Sequence, residues 1–80
     1  MNITEVYNGI IERLNKSGHS DVAKDLEDLL ASAATGSEAL GLTGKYLSDL
    51  KENKFLIYKS IKDLVIEYIK YCKKNGVIIE

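Results

Sequence analysis

The densest group of like charges in this sequence is acidic. Asp21, Asp25 and Asp28 recur at i, i+4 and i+7, with Glu27 beside them, and on a helix this spacing places the aspartates in one stripe. Like charges so spaced mildly destabilise a helix, and only the first gains from the helix N-terminus. The stripe is therefore either a solvated polar face or a patch that meets a basic partner, where complementary charge speeds encounter and fixes register.

The residues that most often catalyse reactions or bind metals occur once each. His19 is the single histidine and lies in a Ser-Gly-His-Ser segment typical of a turn, with no second histidine or cysteine pair to complete a metal site. Cys72 is the single cysteine and falls on an apolar stripe, which favours a buried structural thiol over a nucleophile. We therefore expect no enzymatic activity, no cofactor, no metal and no small-molecule substrate.

Helices are the elements that must position these side chains. The chain contains no proline, and apolar residues recur three and four apart, the spacing of helices with one buried face. The predicted helices run from about Ile3 to Lys16, from a cap at Ser20 through Ala33, from a cap at Thr35 to about Leu50, and from about Phe55 to Lys74. The pattern predicts an all-α fold, a compact four-helix bundle that forms a single domain over residues 1–80.

The predicted core consists of the apolar residues that share the inward face of each helix. They are Ile3, Val6, Tyr7, Ile10 and Leu14; Val22, Leu26, Leu29, Leu30 and Ala33; Leu40, Thr43, Leu47 and Leu50; and Ile57, Ile61, Leu64, Val65, Tyr68 and Cys72. Phe55, Tyr58, Ile66, Ile69 and Tyr71 widen the apolar face of the last helix beyond half its circumference. That helix carries more apolar surface than a bundle of this size is expected to cover, which favours self-association as one alternative.

Two glycines inside the third helix require an explanation. Gly41 and Gly44 each cost roughly 1 kcal/mol of helix propensity relative to alanine. Either they allow a neighbouring helix to approach closely, or this helix is bent and partly irregular.

The overall charge excludes a strong general attraction to polyanions. The net charge of the 80 residues is −1, so no global field draws the chain to nucleic acid or to an anionic membrane. No apolar stretch approaches the ~20 residues that span a bilayer, and no basic segment followed by an apolar run marks a signal peptide. We expect a cytoplasmic protein without membrane contact.

A helix-turn-helix interpretation of the second and third helices is the least favoured alternative. A recognition helix must present basic groups and donors to phosphates and bases. The first turns of the third helix offer Ser37, Glu38, Ala39 and Leu40 instead, and the second helix is acidic. A DNA-binding regulator remains an alternative, but nucleic acid is not the expected partner.

The junction between the second and third helices resembles a known group of bacterial proteins. Residues 22–30 lead through Ala33-Ala34 into the turn Thr35-Gly36-Ser37-Glu38 and then Ala39-Leu40. This pattern is similar to that of small all-helical immunity proteins of bacterial toxin systems, including contact-dependent growth inhibition, over roughly residues 3–72. The sequence departs from the pattern after Glu38, where Gly41, Leu42, Thr43 and Gly44 replace a large apolar residue and an arginine-bearing helix.

The resemblance implies a protein that binds and neutralises a cognate toxin. Many such toxins act on nucleic acid and are basic, which is the chemistry an acidic helix complements. The residues expected to contact the partner are Asp21, Asp25, Glu27 and Asp28, with Glu38 at the rim. The predicted function is therefore a protein-binding module, an immunity protein, with self-association and DNA binding as the alternatives.

Overall fold

The computed structural model describes residues 2–79 and consists of four helices joined by short links. They are α1 (Ile3–Lys16), α2 (Ser20–Ser32), α3 (Gly36–Asn53) and α4 (Phe55–Lys74). The predicted all-α, four-helix bundle is confirmed, and the bounds of α1 and α4 agree with those expected from the sequence. The third helix continues three residues beyond the predicted end at Leu50. None of the helices in residues 2–79 is both long and apolar enough to cross a membrane.

The helices form a closed ring in which each packs on two others. Helices adjacent in sequence pack together, and α4 returns to pack against α1. Within residues 2–79 the diagonal pairs, α1 with α3 and α2 with α4, do not approach each other closely. The α4 helix packs on α1 and α3 more extensively than α2 packs on the same two helices. The α4 helix therefore contributes more of the packing in the bundle than α2 does.

The core lies where the inward faces of all four helices meet. It contains Val6, Ile10, Leu14, Val22, Ala23, Leu26, Leu47, Leu50, Tyr58, Ile61, Leu64, Val65, Tyr68 and Cys72. Six of these residues come from α4, whereas only Val22, Ala23 and Leu26 come from α2.

One predicted core position, Leu30, is wrong, and Ile57 packs at the edge of the core. The Leu30 side chain is 48% exposed, because α2 ends two residues later at Ser32 and leaves it at the edge of a surface cleft. Ile57 is only partly buried, and Tyr58, 6% exposed, occupies the buried place in the first turns of α4.

The helix ends are set by local hydrogen bonds. Asn2 caps α1 by accepting from the backbone N–H of Glu5 at 2.9 Å. Thr35 caps α3, as predicted, by accepting from the N–H of Glu38 at 3.1 Å, which is one of the two hydrogen bonds of a capping box. The predicted cap at Ser20 is wrong. Because α1 ends in a glycine turn that bonds the His19 N–H back to Leu14 O, His19 becomes the N-cap residue of α2 and Ser20 is already helical.

A segment after α4 explains the two glycines of α3. Gly76 adopts a φ of 70°, and the Val77 N–H donates to Cys72 O at 2.9 Å, so the chain turns back after α4. A Cβ at Gly41 would lie 3.0 Å from Ile78 O, and one at Gly44 would lie 2.6 Å from Ile79 Cδ1. The close approach predicted from the glycines is therefore present, but it is made by residues 77–79 and not by another helix.

Candidate functional site

The acidic residues of α2 are all exposed, and the structure divides them between two flanks of the helix. Asp25 lies on the flank that faces α3, where its carboxylate accepts a hydrogen bond from the Tyr46 hydroxyl at 3.0 Å. Glu27 lies on the opposite flank, in a groove lined by Tyr7 and Ile11 of α1. Glu27 therefore lies apart from Asp21, Asp25 and Asp28, on the flank of α2 next to α1. That these four residues contact a partner stays a prediction.

Tyr46 ties the aspartates of α2 to α3. Its pKa is raised to about 12, first because the ring is partly buried and then because its hydroxyl donates to Asp25, with the charge of Asp21 adding to the effect. Burial and the charge of Glu27 raise the pKa of Tyr7 on the other flank of α2. The charges that raise the two pKa values therefore come from different flanks of α2. Asp21 and Asp25 act on Tyr46, and Glu27 acts on Tyr7.

One acidic residue of this surface was not found from the sequence. Asp49 of α3 lines a surface groove of about 350 Å³ together with Asp25, Tyr46 and Asn53, and Lys54 is the cation in the lining of this groove. The sequence feature that could have identified it is the spacing of Tyr46, Asp49 and Asn53 at i, i+3 and i+7. This spacing places all three residues on one flank of a helix. We name the surface formed by Asp21, Asp25, Tyr46 and Asp49 the acidic face.

The two remaining predicted contact residues occupy different positions. Asp28 is exposed on α2 and, three residues after Asp25, continues the same flank of the helix by one turn. Glu38 is exposed in the first turn of α3, and its visible contribution is the N–H that it donates to the Thr35 hydroxyl. Glu38 is therefore positioned by a helix cap, while the acidic face is positioned by the packing of α2 on α3.

A second groove lies on the other side of α3, between α3 and α4. Its volume is about 510 Å³, and its apolar walls come from Tyr58, Val65, Ile66 and Ile69. The polar residues around it are Ser48, Lys51, Glu52, Lys70 and Lys73. We name this surface the lysine groove.

A third cleft is almost entirely apolar. It has a volume of about 380 Å³ and is lined by α1, α3 and α4 residues that include Ile3, Leu40 and Tyr68, with exposed Leu30 at its edge. The Tyr7 hydroxyl nearby is buried without a hydrogen-bond partner, an arrangement that costs free energy in a folded protein. Among residues 2–79 no charged group lines this cleft, and its polar side chains are those of Thr4, Tyr7 and Asn8.

Hydroxyl and thiol groups also occur inside the core. Burial raises the pKa of Tyr68 to about 12 and raises the pKa of the Cys72 thiol. The Thr43 hydroxyl is close enough to lower the Tyr68 pKa slightly, yet no hydrogen bond of normal geometry joins the two. Cys72 is fully buried, and a thiol held in its protonated form away from solvent is a poor nucleophile.

His19 lies at the turn between α1 and α2, where its backbone carbonyl accepts from the N–H groups of Val22 and Ala23. In the part of the chain that the structure describes, no three His, Cys, Asp or Glu side chains come together as metal ligands.

Comparison with known proteins adds no relative to this picture. No family model, no curated protein and no solved structure matches this chain.

Proposed function

We propose that this chain is a protein-binding module whose acidic face docks on a basic surface of another protein. The observation that carries the proposal is the convergence of three exposed carboxylates, Asp21, Asp25 and Asp49, from two helices around a partly buried tyrosine. Neither helix needs these charges for packing, because the core contributions of α2 are Val22, Ala23 and Leu26.

The chemistry of the acidic face is suited to recognition in two ways. Exposed carboxylates attract a basic partner over roughly 10 Å at moderate ionic strength, which raises the association rate. Tyr46 offers an aromatic ring whose hydroxyl is already held by Asp25, so little side-chain freedom is lost when a partner packs on it. Tyrosine residues fixed in this way are frequent centres of binding energy.

Within this class we propose an immunity protein that binds and neutralises a cognate bacterial toxin. The support is the resemblance at the α2–α3 junction, where Thr35 caps α3, combined with the acidic surface beside it. A toxin that acts on nucleic acid carries a basic substrate path, and an acidic protein that occupies this path blocks it. The same acidic surface disfavours nucleic acid as the partner of α2 and α3, because it would repel phosphates.

The test is a binding measurement against the product of the adjacent gene in the source genome. The variant is Asp21→Asn with Asp25→Asn, and the matched control is Glu12→Gln with Glu67→Gln, which removes the same charge from α1 and α4. We expect the first variant to weaken binding roughly tenfold or more and to flatten its salt dependence, while the control binds like the wild type. Equal weakening by both variants would assign the effect to net charge and contradict the acidic face as the site. Tight binding insensitive to both variants and to salt would also contradict it.

A further inference from the structure

Positive charge predominates around the lysine groove. Lys51, Lys70 and Lys73 surround it, and Glu52 is the acid among its lining residues. The two acids of α4 lie toward α1. Asp63 pairs with Arg13, and Glu67 lies in a groove with Ile3 and Val6, where its carboxylate is 3.8 Å from Lys70 Nζ. Lys70 therefore borders both sides of α4, while Lys51 and Lys73 line the lysine groove alone.

Apolar side chains remain uncovered along the same side of α4. Ile66 is 41% exposed within the groove, and Phe55 near the start of the helix is 55% exposed. Residues 77–79 of the chain pack farther along the side of α3 that carries Gly41 and Gly44, and there Val77 and Ile79 pack against the core cluster. One part of this side of α3 is therefore covered by Val77 and Ile79 of the same chain. The part that borders the lysine groove, next to Ile66, is not covered by them.

The acidic face has the complementary composition. It presents Asp21, Asp25 and Asp49 around Tyr46, and Leu42, four residues before Tyr46 on the same flank of α3, is 36% exposed. Carboxylates beside an aromatic and a leucine side chain on one surface therefore match Lys51 and Lys73 beside Ile66 and Ile69 on the other. Such a combination of apolar contact with opposite charge around it is the composition of specific protein interfaces.

We propose that the lysine groove binds the acidic face of a second copy of this chain. The two surfaces flank different sides of α3, so one molecule cannot bring its own two surfaces together. The contact is heterologous, and it extends from copy to copy as a ring or an open chain. This inference does not rest on the proposed function, but the two are linked, because a basic partner and the lysine groove of another copy compete for the same acidic face.

The test measures self-association of the intact chain by sedimentation equilibrium, at low salt and at several-fold higher salt. One variant reverses the acidic face (Asp21→Lys with Asp25→Lys), and another reverses the lysine groove (Lys51→Glu with Lys73→Glu). The control, Lys16→Glu with Lys74→Glu, changes net charge as the groove variant does but lies on α1 and the α1-facing side of α4. Circular dichroism establishes that each variant is folded before it is compared.

The expected result has three parts. The wild type and the control associate with increasing concentration and dissociate as salt rises, because the charges are exposed and screened. Each reversed variant alone is monomeric. An equimolar mixture of the two reversed variants associates again, since each then offers the charge that the other lacks.

Three results would overturn the proposal. The first is a wild type that is monomeric at every concentration in low salt. The second is a mixture of the two reversed variants that stays monomeric although the wild type associates. The third is a control variant that no longer associates. Groove-dependent binding of anionic lipid vesicles by a monomeric wild type would assign the groove to a membrane surface instead. Failure of self-association leaves the proposed binding of a basic partner intact, because that binding is measured with the partner present.

Discussion

The α2 and α4 helices face each other diagonally across the bundle and use their residues in opposite ways. α4 buries six side chains and joins α1 to α3, whereas α2 buries three and exposes four acidic residues. The difference indicates that α4 contributes more to the core than α2 does, and it motivates our proposal that the exposed charges of α2 serve recognition.

The largest expected effect is a loss of stability on leucine-to-alanine substitution in α4, compared with the same substitution in α2. Leu64→Ala removes an 8% exposed side chain of α4 that packs against Gly9 of α1, and it should lower the free energy of unfolding by roughly 2–5 kcal/mol. Leu30→Ala removes a half-exposed side chain of α2 and should cost about 1 kcal/mol or less. Urea denaturation measures both. Equal losses would show that α2 contributes to stability as α4 does.

The next effect concerns the junction that orients α2 against α3. Thr35→Ala removes the side chain that accepts from the Glu38 N–H and should lower the free energy of unfolding by about 1 kcal/mol. Ser37→Ala, two residues away on the exposed first turn, is the control and should have little effect. An unchanged denaturation midpoint for Thr35→Ala would mean that the cap does not stabilise the start of α3.

A smaller net effect is expected at Gly44. A Cβ there would clash with Ile79 Cδ1, the mobile end of a side chain, while alanine improves helix propensity by roughly 1 kcal/mol. Gly44→Ala should therefore change stability little but displace residues 77–79, which hydrogen exchange at the Val77 amide would detect. Gly36→Ala, where a Cβ meets nothing within 4 Å, should leave that amide protected. Unchanged protection in Gly44→Ala would contradict the packing of this segment on α3.

The smallest effect is electrostatic and tests the geometry of the acidic face. Tyr46 has a pKa of about 12 in the folded protein, above its ordinary value, so its contribution to stability is complete below about pH 10 and is lost as pH rises through its folded pKa. Asp25→Asn should lower the pKa of Tyr46, because it removes a charged acceptor. Asp28→Asn should change it less. NMR titration of ¹³C-labelled tyrosine distinguishes the two, and identical shifts would contradict the Tyr46–Asp25 bond.

Much of this fold follows from patterns local in the sequence. The bounds of α4 follow from an uninterrupted apolar periodicity between Lys54 and Asn75, and the start of α3 follows from the Thr35 cap. Each of these signals depends on residues within a few positions of one another, which is why they can be interpreted before the structure is known.

The surfaces depend on which helix lies beside which, and this information is not local. Glu27 and Asp25 are two residues apart in sequence yet face α1 and α3 respectively. Asp49 joins Asp25 only because α2 packs on α3. Likewise the glycines of α3 indicate a close approach, but the segment that approaches is almost forty residues away.

The most direct test of the account measures stability and association in one variant, Asp21→Asn with Asp25→Asn. The account predicts an unfolding free energy that changes little, because relief of the repulsion between the two charges offsets the weaker hydrogen bond from Tyr46 to an uncharged acceptor. It also predicts that association with the basic partner slows about tenfold at low salt, while dissociation changes less, as expected for exposed charges that steer an encounter. A loss of stability with unchanged association would contradict the account, because it would mean that the acidic face holds the fold together and recognises nothing.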